Sequence, residues 1–158
     1  DPSKSFLRPQ PSREPVGHTF IMVTGSPDLE ASLRFWRRHF DNNIVGPIPY
    51  RIGVLSDAYD LPEDTLHSLA VVSMSDGYGI EIDQYPDQAT AVPAPEGERG
   101  GVILVSLSVD PEGLKAPLPW RLPYIDTAGA VEGGVITLPS GAPIEISLTT
   151  AMLPAPAH

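Results

Sequence analysis

The sequence contains no cysteine, which excludes disulfides, thiolate metal ligands and a cysteine nucleophile. Without cysteine, nothing in the sequence fixes the redox compartment in which the protein works. The chain begins with Asp1 instead of methionine, which is compatible with removal of a leader. A cytoplasmic location and an exported one, secreted or periplasmic, therefore both stay open.

Positive charge is scarce as well. Lys and Arg number 10 against 20 Asp and Glu, which gives a formal net charge of -10. A surface this acidic repels phosphate backbones and anionic lipids. No apolar run approaches the roughly 20 residues that a membrane-spanning helix needs. We therefore expect neither a nucleic acid nor a membrane as a partner.

The motifs of several enzyme classes are also missing: the sequence shows no Ser-His-Asp pattern, no phosphate-binding loop and no dinucleotide fingerprint.

Hydrophobic residues make up 41% of the chain, which is enough to build a core. Three segments rich in proline lack any apolar period, and they predict an extended arm, a linker and a tail at residues 1–16, 93–101 and 151–158. The linker divides the chain into two halves.

The first half, residues 17–92, predicts the element order βαβββ. Ser26, Pro27 and Asp28 supply a helix start with proline at the first helical position. Leu29, Leu33, Trp36 and Phe40 then recur at helical spacing, as in an amphipathic helix that packs on a sheet. Strands are predicted at residues 17–24, 48–55, 66–74 and 78–85, with a short helical turn at 56–61.

The second half, residues 102–150, predicts a shortened form of the same order. Pro117 and Pro119 would end any helix soon after Pro111. Strands are predicted at residues 102–109, 120–125, 134–138 and 143–149. The repetition indicates an internal duplication and an α+β fold of paired βαβββ modules, whose curved mixed sheets surround a shared cavity.

Three polar residues occupy notable places in this scheme. His18 lies near the start of the first strand, and Glu81 and Glu145 each lie between two isoleucines in the last strand of a half. Because side chains alternate along a strand, each glutamate points away from the face that carries its isoleucine neighbours. One reading places both glutamates on wet sheet faces, and the other brings both together with His18 in the cavity.

The order of these motifs resembles the vicinal oxygen chelate superfamily, and its glyoxalase-like branch most, over residues 17–149. That family's usual module has a His on the first strand, an aromatic pair on the helix, and a Glu in the final strand. This sequence has His18, Phe35-Trp36 and Glu81 in the first module, and Ser106 to Asp110 (SLSVD) with Glu145 in the second.

The resemblance implies a divalent metal ion, Zn, Ni, Mn, Mg or Fe, held by His18, Glu81 and Glu145. Metal-binding relatives commonly have a second His, and here Leu104 stands at the place that we match to His18, which weakens the expected site. Glu145 is the preferred catalytic base and Glu81 the ligand or partner acid, although these roles can be exchanged.

An apolar wall beside these residues is predicted to bind the substrate. Phe20 and Met22 alternate with His18, and Tyr85 alternates with Glu81. His67 is a further candidate, as a ligand or a hydrogen-bonding partner of the substrate. The same pattern is also typical of an ordinary core, and the sequence does not separate the two readings.

Three functions follow from the resemblance. The first is a metal-dependent lyase or isomerase that acts on a small oxygenated organic substrate, and the second is a metal-free small-molecule-binding protein of the resistance type, which Leu104 favours. A ring-cleaving dioxygenase fits less well, because it would ordinarily use two His and one carboxylate. A homodimer is expected, since an open curved sheet needs its edge covered.

Overall fold

The computed structural model describes residues 21–74, 77–90 and 104–149. The proline-rich arm, the linker and the tail lie outside these ranges. The described residues fall into two compact units. Within the described ranges, no helix is long and apolar enough to cross a membrane.

The first unit is one four-stranded sheet with two helices. Its strand order is β1-β4-β3-β2, in which β1 and β4 run parallel and the other neighbours run antiparallel. This is the predicted βαβββ module with one added short helix. Its elements are β1 Ile21–Ser26, α1 Leu29–His39, β2 Ile44–Arg51, α2 Gly53–Ala58, β3 Leu66–Ser73 and β4 Gly79–Gln84.

The start of α1 is fixed by side chains from two elements. The Oδ1 atom of Asp28 accepts a hydrogen bond from the Ala31 N–H at 2.8 Å, and the Oε1 atom of Gln84 accepts one from the Leu29 N–H at 2.8 Å. Asp28 is therefore the N-cap, and Pro27 precedes the cap instead of occupying the first helical position. The predicted stripe of α1 is buried.

The second strand begins four residues earlier than predicted, at Ile44 instead of residue 48. The strand accommodates Pro47 and Pro49 because β2 is an edge strand, where a missing N–H costs no ladder hydrogen bond. The helix that follows is α2, Gly53–Ala58, where the sequence predicted a turn at 56–61.

The two faces of the first sheet carry different residues. Ile80 and Ile82 of β4 are 1% exposed and share one face. Glu81 and Asp83 alternate with them and lie on the opposite face, together with Leu69 and Val71 of β3. Strand β4 therefore presents two acidic side chains on a face that also holds a small apolar cluster.

The second unit repeats the sheet with fewer helices. Its strand order is β5-β8-β7-β6, again with the first and last strands of the module parallel. Its strands are β5 Val105–Val109, β6 Leu122–Ile125, β7 Val131–Thr137 and β8 Pro143–Leu148. The matching orders confirm the fold class predicted from the duplicated pattern.

The helix of the second unit is reduced to a single 3-10 turn at Pro111–Gly113. Asp110 caps this turn, because its carboxylate accepts a hydrogen bond from the Glu112 N–H at 2.9 Å. Residues 38–41 belong to this second unit. The residues that follow the turn pair with them through a β-bridge between Phe40 and Leu114 and an ion pair of 2.9 Å between Lys115 and Asp41. An extended segment thus replaces the helix that Pro117 and Pro119 exclude.

Strand β8 alternates as β4 does. Ile144 and Ile146 are almost fully buried, with Ile136 of β7 beside Ile144. Glu145 lies on the other face, between Ser106 of β5 and Val135 of β7.

Candidate functional site

Each predicted glutamate lies on the last strand of its unit, on the face opposite the buried isoleucines. Glu81 pairs with Val23 of β1 and Val71 of β3. Glu145 pairs with Ser106 of β5 in the corresponding register, and it is partly exposed like Glu81. The sequence therefore predicted the strand, the face and the repetition of these carboxylates.

Glu145 is held by two hydroxyl groups. The Ser106 hydroxyl donates to Oε2 in a short hydrogen bond, and the Tyr124 hydroxyl donates to Oε1 at 2.7 Å. Ser106 lies on the neighbouring strand, whereas Tyr124 reaches Glu145 from β6 across the intervening strand β7. Each carboxylate oxygen thus accepts one hydroxyl hydrogen bond, so the orientation of the side chain is fixed.

These hydrogen bonds determine the charge of Glu145. The bond from Ser106, followed by the bond from Tyr124, lowers the pKa of Glu145, because both donors stabilise the ionised carboxylate. The same contact raises the pKa of Tyr124, since loss of the phenolic proton would place two negative charges together. Glu145 is consequently an anion at neutral pH.

In the first unit, no hydroxyl group of the described residues donates to the two acidic side chains of β4, Glu81 and Asp83. Asp83 is 6% exposed, and its buried Oδ1 atom accepts no hydrogen bond. Burial raises the pKa of Asp83 to about 6, and the charge of Glu81 and a hydrogen bond to its carboxyl add to the rise. The ionised form of Asp83 is therefore destabilised by its burial and by the neighbouring Glu81 carboxyl group.

The ring of Tyr85 covers one side of this pair. A Cβ atom placed on Gly25 would overlap Cζ of Tyr85, so the ring occupies the space that a side chain at residue 25 would fill. Gly25 is the β1 residue paired with Asp83, and its missing side chain would point to the same face. Tyr85 therefore lies on the acidic face, as its alternation with Glu81 predicted.

His67 also lies on the acidic face, two residues from Leu69 along β3, and it is 6% exposed. Its Nε2 atom is 3.0 Å from the hydroxyl oxygen of Ser56, which lies in α2 and is fully buried. This contact holds α2 against the sheet and engages one ring nitrogen. A binding role for His67 stays a prediction.

The other predicted wall residues are not gathered beside Glu81. Met22 pairs with Ile80 and so lies on the opposite face from Glu81, which corrects the expectation that Met22 forms a wall next to the glutamate. The prediction assumed that Met22 and Glu81 share a face, whereas the parallel register matches Glu81 with Val23. His18 and Phe20 lie outside the described residues.

The strand register also corrects the place assigned to Leu104. Leu104 lies two residues before Ser106, and the residue two before Val23 is Ile21. Leu104 is therefore the counterpart of Ile21, and not of His18, because Ser106 and Val23 hold equivalent positions beside the two glutamates. Leu104 is therefore no sign that the second unit has lost a metal ligand corresponding to His18.

The roles of three residues were not predicted from the sequence: Tyr124, Asp83 and Ser106. Ser106 belonged to a recognised motif, and pairing β5 with β8 in register would have placed it beside Glu145. Asp83 follows Glu81 by two residues and so shares its face, a signal that was present in the alternation. Tyr124 gave no local signal, because its contact depends on the order of β6, β7 and β8.

Among residues 21–74, 77–90 and 104–149, no three His, Asp or Glu side chains are grouped so as to hold a metal ion. The predicted set of His18, Glu81 and Glu145 includes a residue beyond these ranges and stays a prediction.

No protein-family model and no curated protein match this sequence. Solved structures do resemble it. A glyoxylase/bleomycin resistance protein/dioxygenase domain from Frankia sp. EAN1pec is 16% identical, with a TM-score of 0.52 over 84% of this chain and 98% of that one.

Two further structures give similar values. A glyoxalase/dioxygenase from Nostoc punctiforme is 15% identical, with a TM-score of 0.56 over 92% of this chain and 99% of that one. A glyoxalase family protein from Bacillus cereus is 13% identical, with a TM-score of 0.55 over 90% of this chain and 100% of that one. The chain therefore has the fold of the glyoxalase, bleomycin resistance and dioxygenase proteins that make up the vicinal oxygen chelate superfamily.

Proposed function

We propose that the protein is a glyoxalase-like, divalent-metal-dependent lyase or isomerase that acts on a small oxygenated organic substrate. The observation that carries the proposal is the Ser106-Glu145-Tyr124 set, a carboxylate fixed by two hydroxyl groups on the face opposite the core. A fixed anion beside two hydroxyls is suited to bind the polar oxygens of a small molecule. The fold of the solved relatives agrees with this reading.

The electrostatics favour one distribution of roles. A carboxylate whose pKa is lowered holds a proton weakly, so Glu145 is a better ligand than base. Proton transfer then falls to Glu81, the other carboxylate predicted to be catalytic, which is partly exposed. This assignment reverses the roles preferred from the sequence, in which Glu145 was the catalytic base and Glu81 the ligand or partner acid.

The Glu145 carboxylate fits a divalent ion as a ligand. Each oxygen has about two lone pairs, and the two hydroxyl hydrogen bonds engage one on each. Oxygen donors suit Mg, Mn, Zn, Ni or Fe(II). A metal ion held there would act as a Lewis acid on a substrate oxygen. Ser106 and Tyr124 would orient the ligand, and the Tyr124 hydroxyl would stay protonated.

Exchange of carbon-bound hydrogen with solvent tests this proposal without knowledge of the substrate. The protein is incubated in D₂O with Mn, Ni, Zn, Mg or Fe(II) and a panel of small α-hydroxy ketones and aldehydes. Proton NMR should show metal-dependent loss of the signal next to the carbonyl, because lyases and isomerases of this kind form an enolate.

The variants Glu145→Gln and Glu81→Gln should each lose this exchange, while Glu132→Gln, an exposed carboxylate of the same unit as Glu145, should retain it. Exchange that persists unchanged in both site variants, or a wild-type protein inactive with every metal and compound, would reject the proposal.

Metal-free binding of a small molecule is a second candidate, favoured by the apolar surface near Glu145. Leu104 is 42% exposed and Leu122, paired with the neighbour of Glu145 on β7, is 58% exposed. An apolar surface beside one fixed anion is a common composition for a small-molecule site. Binding of panel compounds in the presence of EDTA, without hydrogen exchange, would support this function.

A homodimer is part of the proposal. Strand β6 is the edge of its sheet, and its residues Leu122 and Ile125 are 58% and 59% exposed. An exposed apolar edge strand is suited to pair with a second copy of the chain. Light scattering at micromolar concentrations should give twice the monomer mass, and a monomer at every concentration would contradict this.

A further inference from the structure

The sheet face that carries Glu145 in the second unit is open to solvent. Alternating residues of β5 lie on this face, and Ser106 and Ser108 are both exposed. Glu145 is partly exposed, and Tyr124 of β6 is 39% exposed. A small molecule therefore reaches Glu145 directly from solvent.

Two hydroxyl groups lie beyond Glu145 along the strands. Ser108 pairs with Ser147 in the parallel register of β5 and β8, one step after the pair of Ser106 and Glu145. Because two residues of a strand span about 7 Å, the serine pair lies about that far from Glu145 on the same face. Neither Ser108 nor Ser147 makes a side-chain hydrogen bond with another described residue, whereas Ser106 uses its hydroxyl to hold Glu145. The hydroxyls of the serine pair are thus available to a ligand.

The ring of Tyr124 borders this polar side. Tyr124 pairs with Gly133 of β7, and Gly133 pairs with Ser147 of β8. The Tyr124 hydroxyl donates to Glu145 on β8, so the ring crosses β7, where Gly133 has no side chain to obstruct it. Glu145, Tyr124 and the serine pair therefore form one polar surface.

The surface on the other side of Glu145 is apolar. Leu104 lies two residues before Ser106 and is 42% exposed. Pro143 lies two residues before Glu145 on β8 and is partly exposed. Leu122, 58% exposed, continues this surface across the sheet. Glu145 thus lies at the boundary between hydroxyl groups on one side and hydrocarbon on the other.

The charges of this face exclude an anionic ligand group at the serine pair. None of the described strand residues on this face is Lys or Arg, and the exposed Asp110 follows Ser108 by two residues. Glu145 and Asp110 would repel an anion. A hydroxyl group can instead donate to one serine and accept from the other, so it satisfies both.

We propose that the substrate carries a hydroxylated arm, which Ser108 and Ser147 bind, and a hydrocarbon arm, which lies over Leu104 and Pro143. The two serines are then specificity-determining residues that orient the substrate on the sheet. This inference rests on the proposed function, which places the reacting oxygens of the substrate at Glu145. It narrows the substrate class to hydroxy aldehydes or ketones with one polar and one apolar arm.

Two probes of matched chain length distinguish the two sides. 1,2-Hexanediol and 1,2,6-hexanetriol share a vicinal pair of hydroxyls, and the triol adds a hydroxyl at the far end of its chain. Binding to the full chain with Mg²⁺ present is followed by NMR, through the Cβ signals of Ser108 and Ser147 and the methyl signals of Leu104. We expect the triol to shift the serine signals and the diol to shift the Leu104 signals. Ser108→Ala and Ser147→Ala should each weaken triol binding by about fivefold, the loss expected for one neutral hydrogen bond, and leave diol binding unchanged.

The control variant is Ser68→Ala, which removes an exposed serine of the first sheet and should leave binding of both probes unchanged. The carboxyl ¹³C signal of Glu145 should keep its position in both serine variants, because they change contacts with the ligand and leave the carboxylate and its donors in place. A triol that shifts Leu104 and not the serines, equal triol binding in both serine variants, or no shift from either probe would each overturn the inference.

The hydrogen-exchange assay separates this inference from the proposed function. Hydrogen exchange without the expected shifts would overturn the inference alone. The expected shifts without hydrogen exchange would support the two-sided binding face and reject only the proposed reaction, because both probes bind without turnover.

Discussion

The two sheets share one strand order and place a glutamate at the same point, yet they leave their carboxylates in different states. In the second unit, Ser106 and Tyr124 both donate to Glu145, and its pKa falls. In the first unit, Val23 occupies the position of Ser106, no described hydroxyl group donates to the carboxyl pair, and burial together with the charge of Glu81 raises the pKa of Asp83. A duplicated fold therefore fixes where the charges lie, and a few neighbouring side chains decide how each behaves.

The largest expected effect concerns the isoleucines that hold the two strands in place. Ile82→Ala and Ile146→Ala each leave a cavity in a fully buried position, and each should lower the free energy of unfolding by about 2 to 5 kcal/mol. Val23→Ala, at a position 56% exposed, should cost much less.

Fluorescence can assign each loss to a unit, because the two tryptophans, Trp36 and Trp120, lie in different units. In a Trp120→Phe background the remaining Trp36 reports urea unfolding of the first unit. In a Trp36→Phe background the remaining Trp120 reports unfolding of the second unit. An isoleucine variant that unfolds at the wild-type urea concentration would contradict the burial of that side chain in the core of its unit.

The next effect concerns the pH dependence of the first unit. The folded protein binds a proton at Asp83 more tightly than the unfolded chain does, so stability falls as the pH rises from 3.8 to about 6. Asp83→Asn removes this cost. At pH 8 it should raise the free energy of unfolding by about 1 to 2 kcal/mol once solvent screening is allowed for.

Thermal melts with EDTA present measure this difference. The Asp83→Asn midpoint should exceed that of the wild type by a few degrees at pH 8, and the gap should close at pH 4. Asp87→Asn provides the matched control. A gap that is the same at both pH values would show that the carboxyl charge is not its cause.

A smaller effect is expected at the contact between Gly25 and Tyr85. In Gly25→Ala the new methyl group overlaps the far end of the Tyr85 side chain. The ring can rotate away to relieve the overlap, but it then loses its packing contacts. We expect a cost of about 1 kcal/mol, which should vanish when Tyr85→Ala is already present. Gly53→Ala, where nothing lies within 4 Å, is the control and should not destabilise the protein.

The sequence predicted the fold more completely than the site. Alternation and helical spacing are local patterns, so they identified the duplicated order, the α1 stripe, and the faces of Glu81 and Glu145. Register is not local: it depends on which strands become neighbours, and a wrong match placed Met22 beside Glu81 and made Leu104 the counterpart of His18. Tyr124 was missed for the same reason, since it contacts Glu145 from two strands away.

Direct titration of the two kinds of carboxyl group tests the contrast between the units most simply. Side-chain carboxyl ¹³C shifts of Asp83, Glu145 and the exposed Glu132 are followed from pH 2 to 9, in the wild type and in Tyr124→Phe. Asp83 should titrate near pH 6, and Glu145 should titrate below the ordinary range of a glutamate. The Glu145 midpoint should rise in Tyr124→Phe, while that of Asp83 stays unchanged. Midpoints of Asp83 and Glu145 that coincide would contradict the account.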